Sequence, residues 1–462
     1  MSGIAFAVLD TSSEAGDPAV AARARSLTVS ALRWGYFGDI LEGASIDQLL
    51  SRARAERYDY CFIQSYGHTV TERAGPHGSR TSNFFDRLRQ WLPANEFLVA
   101  GAAVAATKGG YGLLSRCLLV DLRRYHEVGA PSFGANVSRC PAGARPVTNL
   151  RPDPAVSGSK HPFPGAGLVA ASLARGLPVA GFGADLDDFL VDFGSDLSGC
   201  PQALAAWGRQ AEAAPSGVFV LNYEPYRDVE EPPEGFGPPI SALYSVAAGL
   251  KPNRILHTHG FDRQTRIVFF DYSERALEFR RVLLSDWSGR DYPGFLRGLF
   301  NSLDPATHYY LWPGARRDAV DWTEMERLWQ AEIERWGGED IIADHWARYR
   351  LLPHRFVPCN LLTAPSSLLA EIEEDAGAVI WWSNAFCTTY SAWRYTLEEK
   401  QRIYDDWIRA LAAKAPRAFV YGSDHSNSSV NCISAGEYCR RYLLDGGDPL
   451  RARYFYRHEM RF

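Results

Sequence analysis

The chain has 462 residues, a formal net charge of −5 and a hydrophobic content of 46%. This length exceeds what one hydrophobic core usually organises, so two or three domains are predicted. The composition excludes disordered, collagen-like and coiled-coil proteins. The net negative charge gives no global attraction for nucleic acid or an anionic membrane, and no segment reaches the ~20 consecutive apolar residues of a membrane helix. We therefore predict neither a nucleic-acid nor a membrane partner.

The N-terminal residues and the cysteines favour a cytoplasmic protein. Residues 1–10 lack the basic region and the cleavage site of a signal peptide. No two of the eight cysteines form a Cys-x-x-Cys pair, and most lie beside apolar strand residues. This pattern indicates scattered reduced cysteines and predicts neither a disulfide framework nor a metal site.

Apolar runs alternate with amphipathic stretches along the whole chain, which predicts α/β architecture. Two segments rich in Pro and Gly, 140–165 and 229–239, are predicted linkers because proline cannot continue a helix or a central strand. We place the main boundary in the second linker. The predicted organisation is a first domain at 1–150, its continuation and linker at 151–235, and a last domain at 236–462.

The first domain is predicted to alternate strands and helices. In chain order they are strand Ile4–Leu9, helices Ala19–Trp34 and Ile46–Ala55, strand Tyr58–Gln64, helix Phe84–Leu92, and strands Glu96–Val99 and Cys117–Leu122. This order resembles the core of GT-A glycosyltransferases. In that family paired aspartates after the second such strand hold a divalent metal, but Gln64–His68 stand there in this sequence. Asp185–Asp188 contains an Asp-x-Asp further on, which we interpret as a solvated strand-to-helix turn.

The strongest local pattern lies in the last domain. Thr265–Asp271 is predicted to be a buried strand, and Ser273 is the predicted N-cap of a helix over Glu274–Leu284. In nucleotide-binding Rossmann folds a carboxylate at the end of the second strand accepts hydrogen bonds from ribose hydroxyls. Asp271, with Tyr272 beside it, is therefore a predicted cofactor-binding residue. The alternative is an ordinary strand, turn and helix with a surface aspartate.

Gly249 is the candidate for the glycine turn of such a site. It precedes Asp271 by 271 − 249 = 22 positions, close to the roughly 20 residues expected between that turn and the ribose carboxylate. Only one glycine lies there, whereas the family pattern has Gly-x-Gly-x-Gly. A helix over Ile240–Ala248, capped by Gly249, is an equally good interpretation.

The downstream elements continue the alternation. Strands are predicted at Phe356–Leu362, Ala378–Phe386, Ala418–Gly422 and finally Arg453–Phe462, with helices at Ser366–Glu374 and Leu397–Ala413. The order over residues 240–462 resembles class I S-adenosylmethionine-dependent methyltransferases. The resemblance implies S-adenosylmethionine as cofactor, with an adenine step at Asn360 and Leu361. It also implies a fourth strand that ends in Ser383 and Asn384, placed in the cofactor site, and Phe386, placed in the substrate pocket.

The remaining candidates are aromatic residues and histidines. Tyr390, Trp393 and His345 are predicted to line the substrate pocket with Phe386, although Trp and Tyr in such positions are also common in cores. The segment 290–350 is rich in Trp and Tyr and is predicted to form a helical lid over the site. His425, next to Asp424, is the preferred general base, ahead of His345, His257 and His259. For each histidine a structural role is the competing interpretation.

The predicted fold class is α/β, with two Rossmann-like three-layer domains that are GT-A-like at the N-terminus and class I methyltransferase-like at the C-terminus. The predicted function is S-adenosylmethionine-dependent transfer to a small-molecule substrate in a bacterial biosynthetic pathway. A GT-A-type glycosyltransferase or nucleotide-sugar-binding protein, and a non-catalytic binding scaffold, are the alternatives. A homodimer is compatible with the sequence.

Overall fold

A computed structural model of the chain describes residues 3–36, 38–71, 84–105, 111–134, 164–221, 229, 236–237, 239–302 and 322–444. Two compact units are present: the first ends at Trp207 and the second begins at Gly208. Most of the two predicted linkers and all of the predicted strand Arg453–Phe462 lie outside the described residues.

The first unit mixes strands with helices on both sides of its main sheet. Its strands are β1 Ile4–Leu9, β2 Leu41–Gly43, β3 Tyr60–Ser65, β4 His68–Val70, β5 Val99–Ala105, β6 Tyr111–Asp121 and β7 Leu190–Asp192. The helices up to the end of this unit are α1 Ser12–Ala15, α2 Pro18–Gly35, α3 Ile46–Ala55, α4 Phe84–Ala94, α5 Leu122–Glu127, α6 Ala166–Ala174, α7 Ala184–Asp187 and α8 Pro201–Ala213, the last of which contains the boundary.

The main sheet of the first unit has the order β2-β1-β3-β6-β5. Strands β2, β1 and β3 are parallel, whereas β6 runs antiparallel to both β3 and β5. The predicted strand Ile4–Leu9 and helix Ile46–Ala55 are confirmed, and Ser45 caps that helix by accepting a hydrogen bond from the Gln48 amide at 3.2 Å. The strand predicted at Glu96–Val99 instead begins at Val99 and continues to Ala105. This segment is rich in Ala and Gly, which have weak strand propensity, and pairing with β6 holds it in the sheet.

Among its described residues, the second unit contains six strands and nine α-helices. The strands are β8 Ile240–Val246, β9 Phe261–Asp271, β10 His354–Pro358, β11 Ala378–Trp381, β12 Phe419–Ser423 and β13 Ser429–Ser434. The helices are α9 Lys251–His259, α10 Glu274–Asp286, α11 Tyr292–Ser302, α12 Trp322–Trp336, α13 Glu339–Tyr349, α14 Ser366–Glu371, α15 Thr389–Arg394, α16 Leu397–Lys414 and α17 Ala435–Cys439.

The sheet of the second unit has the order β10-β9-β8-β11-β12-β13. The first five strands are parallel, and β13 returns antiparallel to β12. The helix alternative for Ile240–Ala248 is wrong, because this segment forms the central strand β8 with Leu243, Tyr244 and Ser245 fully buried. A parallel strand that is buried on both faces has a continuous apolar sequence, and so does a buried helix. The sequence alone therefore cannot distinguish a strand from a helix in this segment.

Two predicted strands of this sheet are shorter than expected. Strand β10 ends at Pro358, and β11 ends at Trp381. The residues that follow turn away from the sheet: Thr363 and Ala364 bond back to the Asn360 carbonyl, and Ser383 adopts a φ of 53°. Asn360, Leu361, Ser383 and Asn384 therefore belong to loops at the carboxyl ends of strands.

Helix α10 follows the sequence prediction closely. The Ser273 hydroxyl accepts a hydrogen bond from the Ala276 amide at 3.2 Å, which confirms Ser273 as the N-cap. The buried face of the helix includes Ala276, Leu277, Leu283 and also Arg280, which is 1% exposed. A charged side chain at this depth requires compensating contacts.

The segment 290–350 is helical where it is described, but its last helix does not cover the predicted site. Residue His345 of α13 lies with its ring centroid 5.2 Å from that of Phe261, the first residue of β9. Because β9 has eleven residues, its two ends are about 30 Å apart. Helix α13 therefore lies at the amino edge of the sheet, and residues 303–321 lie outside the described residues.

Within the described ranges, no helix has both the length and the apolar character needed to cross a membrane. Six cysteines are free thiols, as the sequence predicts for them: Cys61, Cys117, Cys200, Cys359, Cys387 and Cys439.

Candidate binding site at the carboxyl edge of the second sheet

The carboxyl ends of the parallel strands bring the predicted cofactor residues to one edge of the second sheet. Strand β9 ends at Asp271, which pairs in register with Pro358 at the end of β10. Val246, the last residue of β8, is paired with Phe270. The loops that follow β8, β9 and β10 consequently emerge side by side, and they carry Gly249, Asp271 with Tyr272, and Asn360.

Asp271 joins the loops after β8 and β9. Its Oδ2 accepts a hydrogen bond from the Ala247 amide at 3.2 Å, and its Oδ1 accepts one from the Ser273 amide at 2.9 Å. Burial raises the pKa of Asp271 to about 6, although these amides and the nearby Arg280 guanidinium act to lower it. A carboxylate has about four acceptor positions, so acceptor capacity remains for a ligand.

Gly249 lies in the turn between β8 and α9, as the glycine-turn interpretation requires. Its φ of 54° falls in the left-handed region, which glycine enters without the steric cost that a side chain brings. The Gly249 amide donates to the Phe219 carbonyl at 2.8 Å, and the Gly249 carbonyl accepts from Arg280. The turn is therefore held on both sides by hydrogen bonds.

Tyr272, Tyr390 and Asn360 form a second group at this edge. The rings of Tyr272 and Tyr390 stack at an angle of 16° with their centroids 5.7 Å apart. The Asn360 side-chain amide donates to the Tyr390 hydroxyl at 3.3 Å, while its carbonyl oxygen accepts from the Leu362 amide at 3.0 Å. The structure thus brings together Tyr272 and Asn360, both predicted to bind the cofactor, and Tyr390, predicted to line the substrate pocket. Leu361, by contrast, is 3% exposed and packs in the core.

The loop after β11 carries Ser383, Asn384 and Phe386. The Ser383 carbonyl accepts hydrogen bonds from the amide and hydroxyl of Ser423 at 2.8 and 3.2 Å, which ties this loop to the end of β12. Asn384 begins a short 3-10 turn over Ala385–Cys387. Phe386 is fully buried against Tyr404, with ring centroids 4.9 Å apart, so it supports the loop from below and presents no surface to a pocket.

Asp424 and His425 lie in the hairpin loop between β12 and β13. Asp424 is 1% exposed, and its Oδ1 accepts from the Ser426 amide, the Ser426 hydroxyl and the Ser428 amide at 2.7 to 2.9 Å. These bonds make Asp424 the residue that shapes the hairpin loop. His425 is half-buried, and its Nδ1 lies 3.2 Å from the Tyr442 hydroxyl.

The other predicted base candidates lie at the opposite edge of the sheet. His257 and His259 end α9, which leads directly into the first residue of β9, and His345 packs against that residue. His345 is 1% exposed, and neither of its ring nitrogens has a hydrogen-bond partner among the described residues. The prediction of His345 as a substrate-pocket residue or alternative base is therefore wrong: it is an aromatic core residue.

Trp393 lies in α15, three positions after Tyr390. Its indole is so close to Gly208 that a Cβ added to that glycine would lie 2.8 Å from the ring. The side chain is half-buried. We assign Trp393 to the packing of α15.

Sequence reasoning missed two parts of this edge, namely the Ala247 amide and the Arg280 side chain. A backbone donor leaves no residue signature. Arg280, however, falls four positions after Ala276 and three before Leu283, both buried, so helical periodicity places it on the apolar face of α10. That mismatch between residue type and periodic position was the available signal.

The first unit has its own polar group at the carboxyl end of β1. The Ser195 hydroxyl lies within hydrogen-bond distance of the Thr11 hydroxyl at 2.7 Å and of the Glu14 carboxylate at 3.1 Å. Arg116 forms ion pairs with Glu14 and Asp192 at 3.4 and 3.3 Å.

At the position of the absent Asp-x-Asp, Gln64 Nε2 lies 2.8 Å from His68 Nδ1. Asp187 belongs to the four-residue helix α7. Across the described ranges, no group of three or more His, Cys, Asp or Glu side chains could hold a metal ion.

No protein-family model, no curated protein and no solved structure matches the chain.

Proposed function

We propose that the second unit is a Rossmann-like domain that binds S-adenosylmethionine and transfers its methyl group to a small molecule. The observation that carries the proposal is the Asp271 carboxylate, which lies at the carboxyl end of β9 and is bonded to the loop after the neighbouring strand β8. Nucleotide-binding folds use a carboxylate in this position to accept hydrogen bonds from the ribose hydroxyls.

The strand order supports the same proposal. Numbered within the unit, β8 to β12 occupy the sheet in the order 3-2-1-4-5, as in doubly wound folds that bind nucleotides. Ligands of open parallel sheets bind outside the carboxyl ends of the strands, at the point where the strand order reverses. That point lies between β8 and β11, and the loops after these strands carry Gly249 and Ser383.

The donor set fits a nucleoside. Asp271 would accept from the ribose hydroxyls with its remaining acceptor positions, and Tyr272 and Asn360 would border the base. When bound, S-adenosylmethionine supplies a methyl group for in-line displacement, a reaction in which positioning does most of the work. The loop after β8 departs from the family pattern, because hydrogen bonds to Asp271 and Arg280 hold it in place of repeated glycines.

The acceptor side of the site would be formed by the loops after β11 and β12. Among the described histidines of the second unit, His425 is the one at the carboxyl edge. It lies three strands from Asp271 in the sheet, which is about 14 Å. A histidine there is the group that could take a proton from an acceptor.

The proposal is tested by calorimetry and thermal shift with S-adenosylmethionine and S-adenosylhomocysteine. We expect both to bind and to raise the unfolding temperature, with the larger rise for the tighter ligand at equal concentration. Adenosine tests whether the nucleoside half is sufficient. Absence of binding by the sulfonium cofactor and by its product would refute the proposal and leave a binding scaffold as the better explanation.

A second candidate function belongs to the first unit, which we propose as a nucleotide-sugar-binding, GT-A-like domain. The observation in its favour is the group formed by Thr11, Glu14, Arg116 and Ser195 at the carboxyl end of β1. Strand β1 lies between β2 and β3, so the chain crosses over in opposite directions from this strand. UDP, UDP-glucose and dTDP-sugars, each titrated with and without Mn²⁺, test it. Mn²⁺-dependent UDP binding would favour this candidate over the methyltransferase.

A further inference from the structure

The loop after β8 is held by one buried guanidinium. Arg280 of α10 is 1% exposed, and its Nε donates to the Ala247 carbonyl at 3.3 Å. Its Nη2 donates to the Gly249 carbonyl. The Cζ atom of the guanidinium also lies 4.8 Å from the centroid of the Phe269 ring, in β9. The side chain therefore contacts both the loop and the strand that carries Asp271.

Both backbone polar groups of Ala247 are consequently hydrogen-bonded to side chains. Its amide donates to Asp271, and its carbonyl accepts from Arg280. Each of these bonds involves a charged partner, and such bonds are stronger and more directional than neutral ones. In a glycine-rich turn the backbone conformation itself provides the close approach to the ligand, whereas here two side chains from neighbouring elements impose it.

We infer that Arg280 is a positioning residue, which sets the loop Ala247–Gly249 against Asp271 and thereby builds the ribose-binding carboxylate into its binding geometry. This inference rests on the proposed function for its ligand. It assigns no contact between Arg280 and the cofactor, because the guanidinium lies beneath the loop. It explains how the site is formed without the Gly-x-Gly-x-Gly pattern.

Arg280 also affects the titration of Asp271. Arg280 is a positive charge close to the Asp271 carboxylate and acts to lower its pKa against the effect of burial. Among the described residues, the titratable groups that interact with Asp271 or Arg280 include Cys359, Tyr292, Tyr349 and His354. Burial raises the pKa of the thiol and of both phenols and lowers the pKa of His354 to about 4. These four groups stay uncharged between pH 5 and 8, so a change in the titration of Asp271 over that range reports the loss of Arg280.

The test compares Arg280→Met and Arg280→Lys with the matched control Arg281→Met. Arg281 is the next residue on α10, but its side chain is 48% exposed and pairs with Glu278 at 2.9 Å. S-Adenosylhomocysteine affinity is measured by calorimetry from pH 5 to 8. For Arg280→Met we expect about tenfold or greater loss at pH 7, the scale of losing hydrogen bonds to a charged group, and a higher pH midpoint of binding.

Arg280→Lys separates charge from geometry. Lysine keeps the positive charge but lacks the forked guanidinium that donates to the Ala247 and Gly249 carbonyls. We expect its pH midpoint to stay near that of the wild type while its affinity falls. Wild-type affinity and midpoint in both Arg280 variants would overturn the inference. If Arg280→Met does not fold, Arg280→Lys decides alone, because unchanged affinity in that variant would contradict a role for the fork.

Hydrogen exchange without ligand separates this inference from the proposed function. The amides of residues 247–249 should exchange faster in both Arg280 variants than in the wild type, and at the wild-type rate in Arg281→Met. Unchanged exchange in both Arg280 variants would overturn the inference. If the wild type binds neither adenosyl ligand, the proposed function fails, and the exchange rates still decide whether Arg280 holds the loop.

Discussion

The two edges of the second sheet bury titratable side chains in opposite ways. At the carboxyl edge, Asp271 and Asp424 accept hydrogen bonds from loop amides. At the amino edge, His345 lies among the rings of His257, Trp336 and Phe261. One edge arranges polar groups around loop backbone, and the other encloses a titratable ring in aromatic packing.

A perturbed pKa does not by itself mark a functional residue. Burial lowers the pKa of His345 to about 3, a larger shift than that of Asp271, yet His345 has no opening to a ligand. Asp271 combines its shift with acceptor capacity at strand ends, where ligands of parallel sheets bind. Position in the sheet, taken together with hydrogen bonding, separates the functional candidate from the core residue.

The largest effect is expected from Asp271→Ala. It removes the charged acceptor that we propose for the ribose, and it also removes the hydrogen-bond acceptor of the Ala247 amide. We expect S-adenosylhomocysteine affinity to fall about 10- to 100-fold, the scale of losing charge-assisted hydrogen bonds. Asp262→Ala is the matched control, because Asp262 lies near the amino end of the same strand. Equal effects of the two substitutions on calorimetric affinity would erase the difference between the edges.

A smaller loss is expected from Tyr390→Leu. This change removes the ring that stacks on Tyr272 and the hydroxyl that accepts from Asn360. An aromatic pair contributes about 0.5–1.5 kcal/mol beyond its buried area, so the affinity should fall up to about tenfold. Tyr390→Phe keeps the stack and should retain most of the affinity. A loss in Tyr390→Phe equal to that in Tyr390→Leu would show that the hydroxyl, and not the stack, matters.

At the amino edge we expect His345→Phe to stabilise the fold without changing ligand affinity. The substitution removes two buried nitrogens that have no described partner, a gain of about 1–2 kcal/mol in the free energy of unfolding at pH 7. His354→Phe is the control, because its Nδ1 lies 2.7 Å from the Leu352 carbonyl and that bond would be lost. Chemical denaturation of both variants tests this. Destabilisation by His345→Phe would mean that its ring nitrogens have partners.

The two edges should also respond to pH with opposite signs. The folded pKa of His345 is lowered from 6.5 to about 3, so its contribution to stability is present above pH 6.5 and is lost as the pH falls toward 3. The folded pKa of Asp271 is raised from 3.8 to about 6, so its contribution is present below pH 3.8 and is lost as the pH rises through 6. Between pH 7 and pH 4 the free energy of unfolding should therefore fall less in His345→Phe than in the wild type, as measured by chemical denaturation. A parallel pH dependence of the two proteins would contradict this assignment.

The smallest effect on binding is expected from His425→Gln. His425 shares the carboxyl edge with Asp271 but lies three strands away, and separated sites without common partners act independently, so affinity should stay within about twofold. Calorimetry with S-adenosylhomocysteine measures it. A larger loss would place His425 in the proposed cofactor site and not on the proposed acceptor side.

The sequence predicts the elements around Asp271 well, because their patterns are local. The apolar run of β9, the cap Ser273 and the periodicity of α10 each reside within a few residues. The ends of β10 and β11 were missed because hydrogen bonds between neighbouring strands and loops determine them. Strand β13 was also missed, although five polar residues between two short strands are a hairpin signal.

The functional assignment of side chains was less predictable than the strands. Residue type alone gave His345 and His425 the same candidate role, and only their positions at opposite sheet edges distinguish them. Phe386 and Leu361 follow the correct strands but point into the core. Arg280 was detectable from its place on an apolar helix face, but its partners are backbone carbonyls that sequence does not reveal.

The most direct test of the carboxyl-edge site is a calorimetric titration of S-adenosylhomocysteine into the wild-type protein at pH 7.5 and pH 5.0. With the Asp271 pKa at about 6, only about one carboxyl in ten is ionised at pH 5.0, so the affinity should fall about tenfold. The Asp271→Ala variant should bind weakly and equally at both values. Wild-type binding that is absent at pH 7.5, or that does not change between the two values, would contradict ribose recognition by this carboxylate.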